Sequence, residues 1–330
     1  MSVKLPDFDG APIAVGTVRP HLGGAPADAT HPDIATTHRD TDGAHAAVHP
    51  GGFEGVFGEH FRLLADLVAD GDVVVLSGAG ISTESGIPDY RGESGRRRQA
   101  DPMTYQTFVG SAAARRRYWA RSHLGWRHIA RAAPNAGHRA VTGLQERGLV
   151  TGIITQNVDG LHQSSGARDV IELHGSLDRV RCLACGVRTP RQALDERLRA
   201  ANPGWHARVG VINPDGDAVI ADDRIDAFRV VDCHGCGGVL KPDVIFFGEN
   251  VPRPRVEDCY ALVERAGMLL VLGSSLTVMS GYRFVRHAAE RDIPIAIINR
   301  GPTRGDTDAL LTFDVPLGAT LAALLTHLGP

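Results

Sequence analysis

Four of the five cysteines in this chain stand as two Cys-x-x-Cys pairs, Cys182 with Cys185 and Cys233 with Cys236. Without a secretion signal, such pairs are more often metal ligands than disulfides. Four thiolates complete the coordination of a tetrahedral zinc and leave no position for water, so the expected Zn2+, one per chain, is structural. His234 is not needed as a ligand, and the doubling of the motif speaks against a redox pair. The intervening segment, 186–232, exceeds the roughly 15–20 residues of a compact zinc ribbon. An excursion must therefore leave and return within the lobe. Cys259 falls in a helical pattern and is expected to be buried.

The other chemistry-bearing residues follow short apolar runs. Gly78, Ala79 and Gly80 come directly after one such run and precede a helical stretch, a setting in which backbone can approach a phosphate; a plain tight turn is the alternative. A dehydrogenase fingerprint needs a third glycine where Thr83 stands, and an acidic residue ending a second strand; neither is found, which disfavours hydride transfer. Gly86-Ile87-Pro88-Asp89-Tyr90-Arg91 is a rigid turn presenting Asp89 and Arg91, and reads equally as a surface turn. Gln156, Asn157 and Asp159 lie where a strand-end crevice forms and can grip a carboxamide-bearing ring by hydrogen bonds. His162 reads as a helix-start residue with a structural bond. His174, at another strand end, can take a proton near neutral pH and is read as a general base. Gly273-Ser274-Ser275 and Asn299-Arg300-Gly301 suit ribose hydroxyls. Phe246-Phe247-Gly248-Glu249 is either an edge for an added peptide strand or ordinary core strand.

The elements that must position these residues are legible in the apolar pattern. Phe53, Phe57, Phe61, Leu64 and Val68 recur at helical spacing until Gly71. Apolar, β-branched runs follow at 72–76, 152–155, 169–173, 268–272, 295–298 and 313–315, with helical stretches such as 256–266 and 281–290 between several of them. Buried strands alternating with helices imply an α/β fold, a doubly wound, Rossmann-like parallel sheet. Two segments break the rhythm. Residues 92–132 read as a helical insertion and cofactor loop, and 179–240 as a small zinc-binding lobe built on the four paired cysteines. The sheet domain is then 53–178 together with 241–330, and residues 1–52, without apolar period, read as a disordered tail. The Arg96–Arg98 and Arg115–Arg117 runs read as solvated faces.

The chain has 330 residues, 43% hydrophobic and 22% charged, with a formal net charge of −3, which gives no electrostatic footprint for nucleic acid or an anionic membrane. No run is long enough to span a bilayer. The N-terminus lacks a basic start followed by an apolar stretch, and its six aspartates by residue 42 do not suit a mitochondrial transit peptide; the expected location is the cytoplasm.

Taken in order, the runs GAGIS, GIPDYR, TQNVDGLH, LHG, the two CxxC pairs, KPDVIFFGE, GSS and NRG closely resemble the sirtuins, NAD-dependent protein deacylases. The stretches 117–121, 281–284 and 301–304, with the long spacer between cysteine pairs, resemble the class II branch. The resemblance implies that Gly78, Ala79, Gly80 and Thr83 lie along the diphosphate of NAD. Ile87, Pro88, Asp89, Tyr90 and Arg91 would belong to a mobile cofactor loop. Gln156, Asn157, Val158 and Asp159 would bind nicotinamide and its ribose. Gly273, Ser274 and Ser275 would hold the far ribose and phosphates, and Asn299, Arg300, Gly301 and the backbone near Leu317 the adenosine end. His174 would be the base, with Asn157 and Asp159 beside it. Phe247, Gly248 and Glu249, with the segment 276–279 that begins at Leu276, would sandwich an acyl-lysine peptide as a strand. The implied reaction expels nicotinamide, captures the ribose carbon with the acyl oxygen, and ends in free lysine and O-acyl-ADP-ribose. Tyr90 stands where many sirtuins have Phe, in keeping with the class II branch. Two other readings use the same features: a protein mono-ADP-ribosyltransferase on the same NAD site, and a non-catalytic NAD-sensing zinc-ribbon module.

Overall fold

The structure, a computed structural model, describes residues 3–6, 12–15, 56–90, 102–210 and 212–329. Phe53, Arg91, the Arg96–Arg98 run and most of the segment read as a tail lie outside these residues. The described parts of that segment are two four-residue strands, β1 (Val3–Pro6) and β2 (Pro12–Val15).

Helix α1 (Val56–Ala69) turns Phe61, Leu64, Ala65 and Val68 inward at helical spacing and stops before Gly71, whose φ of 85° suits the left-handed stop. Strand β3 (Val73–Ser77) is buried throughout and runs into a 3-10 helix, Ala79–Ser85. Next come α2 (Tyr105–Gly110), α3 (Ala112–Ile129) and α4 (Ala136–Glu146), whose first turns are capped by Thr104, Ser111 and Asn135 side chains accepting backbone N–H groups. Strand β4 (Val150–Thr155), α5 (Leu161–Ser164) and β5 (Val170–Glu172) complete one half of the sheet. Then follow β6 (Gly175–Cys182), β7 (Arg188–Pro190), α6 (Arg191–Ala201), α7 (Asp222–Asp226) and β8 (Leu240–Val244). The chain returns through α8 (Arg253–Glu264), β9 (Met268–Leu272), α9 (Met279–Ala289), β10 (Ile295–Ile298), β11 (Leu311–Phe313) and α10 (Leu317–His327).

In the large sheet the order is β1-β2-β11-β10-β9-β3-β4-β5, and the six strands from β11 to β5 are parallel. Every residue of β3, β9 and β10 is buried, which is why these strands are continuously apolar rather than alternating. Each fully buried Leu or Val of this kind contributes roughly 1.5–3 kcal/mol. The chain builds outward from β3 through β4 to β5, then crosses back to lay β9 on the other side of β3. That reversal between β3 and β9 is where a crevice opens above the strand ends.

Strands β7, β6 and β8 form a separate antiparallel sheet. The excursion between the cysteine pairs packs on α3: Arg121 Nε donates to the Ala218 carbonyl at 2.8 Å and lies 2.8 Å from Asp217, while Gly125 leaves room for Gly216. Arg191, fully buried, stacks its guanidinium 5.3 Å from the Trp119 ring and 4.8 Å from that of Trp126. Trp119 Nε1 donates to the Leu240 carbonyl, and the helical insertion and zinc lobe thus share one core. Cys259 is buried on α8. Among the described residues, no helix is long and apolar enough to cross a membrane.

Candidate active site

The cleft opens where the parallel strands end: β3 is followed by Gly78, β4 by Gln156, β9 by Gly273 and β10 by Asn299, and all four line a cavity of about 660 Å³. Two glycine loops interlock at its base. A Cβ on Gly80 would lie 2.8 Å from the Gly273 Cα and carbonyl oxygen, and one on Gly78 2.8 Å from the Gly273 oxygen and Ser274 Cβ. Gly273 itself has φ of 62°, and a Cβ there would meet the Ile81 nitrogen at 2.4 Å. Glycine is required here by loop against loop, in addition to any approach of a phosphate. Nearby Leu276 holds φ at 55° while fully buried, a strained conformation for an L residue in a loop that faces the cleft.

The polar residues beyond β4 are held by one another. Asn157 Nδ2 donates to the Gly78 carbonyl at 3.0 Å and to Ser82 Oγ at 3.1 Å, and Ser82 Oγ–H donates to Asp159 Oδ2 at 2.7 Å. Burial pushes the Asp159 carboxyl above the usual range, opposed by the bonds from Leu161 N–H and Ser82. Gln156 Nε2 donates to Ser274 Oγ at 2.8 Å, joining the β4 and β9 loops. Below them His162 Nε2, Ser77 Oγ and Thr155 Oγ1 form a buried chain with 2.9 Å links, and Thr155 Oγ1 accepts the Asn157 N–H at 3.1 Å. His162, at the first turn of α5, thus supports the Asn157 backbone from behind, the structural bond its position suggested.

His174 follows β5. Its Nδ1 is 2.9 Å from the Gln156 carbonyl oxygen, which can only accept, so Nδ1 carries the hydrogen and Nε2 keeps its lone pair. Burial lowers the His174 pKa below 6.5, with the Gln156 bond opposing and Arg255 adding to the fall. The ring is neutral at pH 7, with a basic nitrogen in the cleft. Gly175, directly after it, has no space for a Cβ, which would meet the Asp243 carbonyl at 2.0 Å. The antiparallel sheet is therefore joined to the cleft one residue beyond the imidazole.

An apolar wall completes the cavity, formed by Ile87, Met103, Val158, Val244, Phe246 and Pro214. Of the residues singled out by sequence, the cleft brings together Gly78, Ala79, Gly80, Ile87, Asp89, Tyr90, Gln156 to Asp159, His174, Phe247 to Glu249, Gly273 to Leu276 and Asn299 to Gly301. Thr83, Pro88 and Leu317 are not among its lining residues. Thr83 Oγ1 donates to the Gly80 carbonyl within the 3-10 helix, and Leu317 starts α10 in the core. The Phe246 to Glu249 run is not core strand, since β8 ends at Val244; Phe247 forms an isolated parallel bridge with Thr104 and the chain then turns, the Glu249 N–H donating to the Phe246 carbonyl. Phe246 packs inside, Phe247 is exposed, and the Phe247 carbonyl accepts the Tyr105 N–H at 2.9 Å. The Glu249 carboxylate points to Lys241 Nζ at 2.9 Å and accepts the Phe246 N–H, so it shapes the turn. Asn299 likewise bonds its own loop, donating to the Arg300 and Gly301 carbonyls.

Sequence reasoning missed Ser82, Met103, Pro214, Asp215 and Ser280. Ser82 was within reach, since it ends the GAGIS run. Pro214 and Asp215 carry no local signal, because only the folding of the 186–232 excursion onto α3 brings them to the cleft.

The four cysteine Sγ atoms all lie within 4.8 Å of one another, with Cys182 to Cys236 at 3.5 Å and Cys185 to Cys233 at 3.9 Å. A tetrahedron with zinc–sulfur bonds of ~2.3 Å has edges of ~3.8 Å, so the cluster fits the ion. Both knuckles turn on left-handed glycines, Gly186 and Gly237. None of the four thiols lines the cleft, which fits a structural site.

The Sir2 family profile matches residues 78–280. The chain is 61% identical over 266 residues to NAD-dependent protein deacetylase 1 of Streptomyces coelicolor, covering 81% of this chain and 89% of that one. It is 53% identical over 272 residues to NAD-dependent protein deacetylase 1 of Mycobacterium avium, covering 81% and 95%. A solved Sir2 structure with a p53 peptide and NAD+ superposes with a TM-score of 0.66 at 28% identity, over 81% of this chain and 98% of that chain.

Proposed function

The chain belongs to the Sir2 family, and from that premise we propose that it is an NAD-dependent protein lysine deacylase, moving the acyl group of a lysine side chain onto ADP-ribose with release of nicotinamide. One observation carries the reading: an imidazole held as its Nδ1–H tautomer, with basic Nε2 in the same cleft as the paired glycine loops and an apolar wall. The donor set fits NAD, since backbone amides of the glycine loops suit a diphosphate and the Gln156, Asn157 and Ser274 side chains suit a carboxamide and ribose hydroxyls.

Bound NAD supplies an electrophilic ribose carbon, with nicotinamide as its leaving group. The chain's own residues do the rest. Asn157 and Asp159 are tied together through Ser82 in the structure without ligand, which preorganises them. His174 Nε2 takes a proton from a ribose hydroxyl and returns it later. Ile87, Met103, Val158 and Phe246 bound a channel for the acyl-lysine and exclude water, and Phe247 and Met279, both exposed, flank a peptide backbone. In this reading residues 53–178 and 241–330 form the NAD-binding domain and 179–240 the zinc lobe. Acyl-lysine peptides are the partners; the net charge of −3 gives no reason to add nucleic acid. Four metal-binding thiols suit a reducing compartment, and we place the protein in the cytoplasm.

The test is mass spectrometry of products after incubation with NAD and a panel of acyl-lysine peptides, wild type beside His174→Ala. Free lysine peptide and O-acyl-ADP-ribose from the wild type alone support both the reaction and the base. ADP-ribose attached to protein would move the reading to a transferase, and no NAD consumption with any acceptor would leave only an NAD-binding module.

A further inference from the structure

Nε2 of His174 is already engaged. Ser280 Oγ lies 2.9 Å from it. Because Nδ1 must donate to the Gln156 carbonyl, Nε2 has only a lone pair to offer, and the hydroxyl must be the donor. The imidazole is thus pinned at both nitrogens, by the backbone of the β4 loop on one side and by the first turn of α9 on the other. A Cβ on Gly281 would lie 2.6 Å from Gln156 Oε1 and 2.8 Å from its Cδ, so glycine at 281 lets α9 pack directly on the Gln156 side chain beside the ring. Ser280 and Gly281 face the same strand end from one helical turn.

We propose that Ser280 is a positioning residue for His174: its hydroxyl holds the ring in one orientation, with Nε2 unprotonated and aimed into the cleft, until a ribose hydroxyl displaces it from that lone pair. This rests on His174 being the base of the proposed reaction. A serine hydroxyl suits the task, because it donates to the neutral imidazole and, by rotating, accepts from the imidazolium once Nε2 has taken a proton. Alanine can do neither. Threonine keeps the hydroxyl.

Two measurements test this on the full-length, zinc-loaded protein. The first needs no turnover: with histidine ring nitrogens labelled by 15N, NMR of the protein without ligand should show His174 protonated at Nδ1 and accepting at Nε2. Ser280→Ala should shift the Nε2 resonance toward that of a free lone pair and leave Nδ1–H in place, while Ser280→Thr keeps the wild-type shift. A protonated Nε2 in the wild type, or an Nε2 shift indifferent to Ser280→Ala, would overturn the proposal even if the protein proved to have another activity. The second is kinetic. Loss of one such hydrogen bond should lower kcat for deacylated product about three- to tenfold, with the KM for NAD and for peptide unchanged and Ser280→Thr restoring most of it. Exchange of labelled nicotinamide into NAD, which precedes the base step, should stay at the wild-type rate. A parallel fall in exchange and turnover would mean that Ser280 only supports the fold. Wild type without deacylation would sink the functional reading instead, leaving the NMR result to stand alone.

Discussion

Acidification should loosen the floor of the cleft through His162. Ser77 donates its single hydroxyl proton to Thr155 Oγ1, so His162 Nε2 must be the donor to Ser77 Oγ. The other ring nitrogen, Nδ1, is a buried acceptor with no hydrogen-bond partner among the described residues, and the His138 ring stands 5.0 Å away. A second proton would have to sit on Nδ1, unpaired and out of reach of water, with the ring only 1% exposed. Burial accordingly holds the His162 pKa down to about 4, from 6.5. The sign follows from which state takes the proton. Between pH 6.5 and 4 the unfolded chain binds a proton that the folded chain refuses, so stability is full above 6.5 and is lost as the pH falls toward 4. At pH 5 the gap from the unfolded pKa is ~1.5 units, which at ~1.36 kcal/mol per unit is about 2 kcal/mol from this one group.

The comparison is with His162→Gln, whose amide can donate to Ser77 and does not titrate. Urea unfolding followed by tryptophan fluorescence, at half-unit steps from pH 7 to pH 5, gives the stability of each protein. Wild type should lose about 2 kcal/mol more than the variant over that range. Taking the difference cancels the carboxylates and the zinc thiolates, which titrate alike in both. Parallel pH profiles would refute the argument, because they would mean that the folded protein accepts a proton at Nδ1 or that His162 is not buried in solution.

The remaining predictions concern the cleft and the metal. Since burial keeps the His174 pKa below 6.5 and the base must be neutral, kcat/KM should be level above pH 6.5 and fall only as the pH drops through a lower value; an acid limb centred above 6.5 would assign the base elsewhere. His174→Ala should cut deacylation by roughly 10²–10⁴, measured by product mass spectrometry, with NAD still bound. Gly80→Ala places a methyl 2.8 Å from the Gly273 backbone, so the loops must part: isothermal titration should show NAD affinity down at least about tenfold, and thermal unfolding a loss of about 1–3 kcal/mol; unchanged affinity would dismiss the interlock. Cys233→Ser should abolish zinc binding by elemental analysis and lower the Tm, because the remaining three sulfurs no longer close the tetrahedron.

Much of the architecture was readable because buried parallel strands advertise themselves. The runs at 268–272 and 295–298 coincide with β9 and β10 to the residue, and 72–76 and 152–155 fall within a residue or two of β3 and β4. Rims of polar residues at the ends of those strands were legible for the same reason, since a strand end in such a sheet is a crevice wall. What escaped notice depends on partners distant in sequence. Nothing near Arg191 announces that two tryptophans enclose it, and nothing near Ser280 announces that α9 leans on Gln156. The core-strand reading of the Phe246 to Glu249 run failed because the chain turns there, with Glu249 paired to Lys241 at 2.9 Å, and composition does not report an ion pair.

The arrangement separates two kinds of recognition by their origin in the chain. Most of what suits a dinucleotide comes from the ends of β3, β4, β9 and β10, which one continuous hydrogen-bonded sheet holds in fixed register. Much of the apolar wall suited to an acyl chain comes from elsewhere: Met103 just before α2 in the helical insertion, Pro214 from the zinc-lobe excursion, and Val244 and Phe246 at and after the end of β8. These elements are joined through the shared core around Trp119, Phe108 and Arg191 and through the four cysteines. His174 sits at the seam, its Nδ1 on the β4 loop and its successor Gly175 against the Asp243 backbone of β8. Under the proposed function, a metal outside the cleft would act on the chemistry within it through β6 and β8, which carry Gly175, next to His174, and Val244 of the apolar wall. The sheet loops that would grip NAD are left with every strand contact intact. Under the proposed function, a structural zinc would order the acceptor side of the site and leave the dinucleotide side to the sheet.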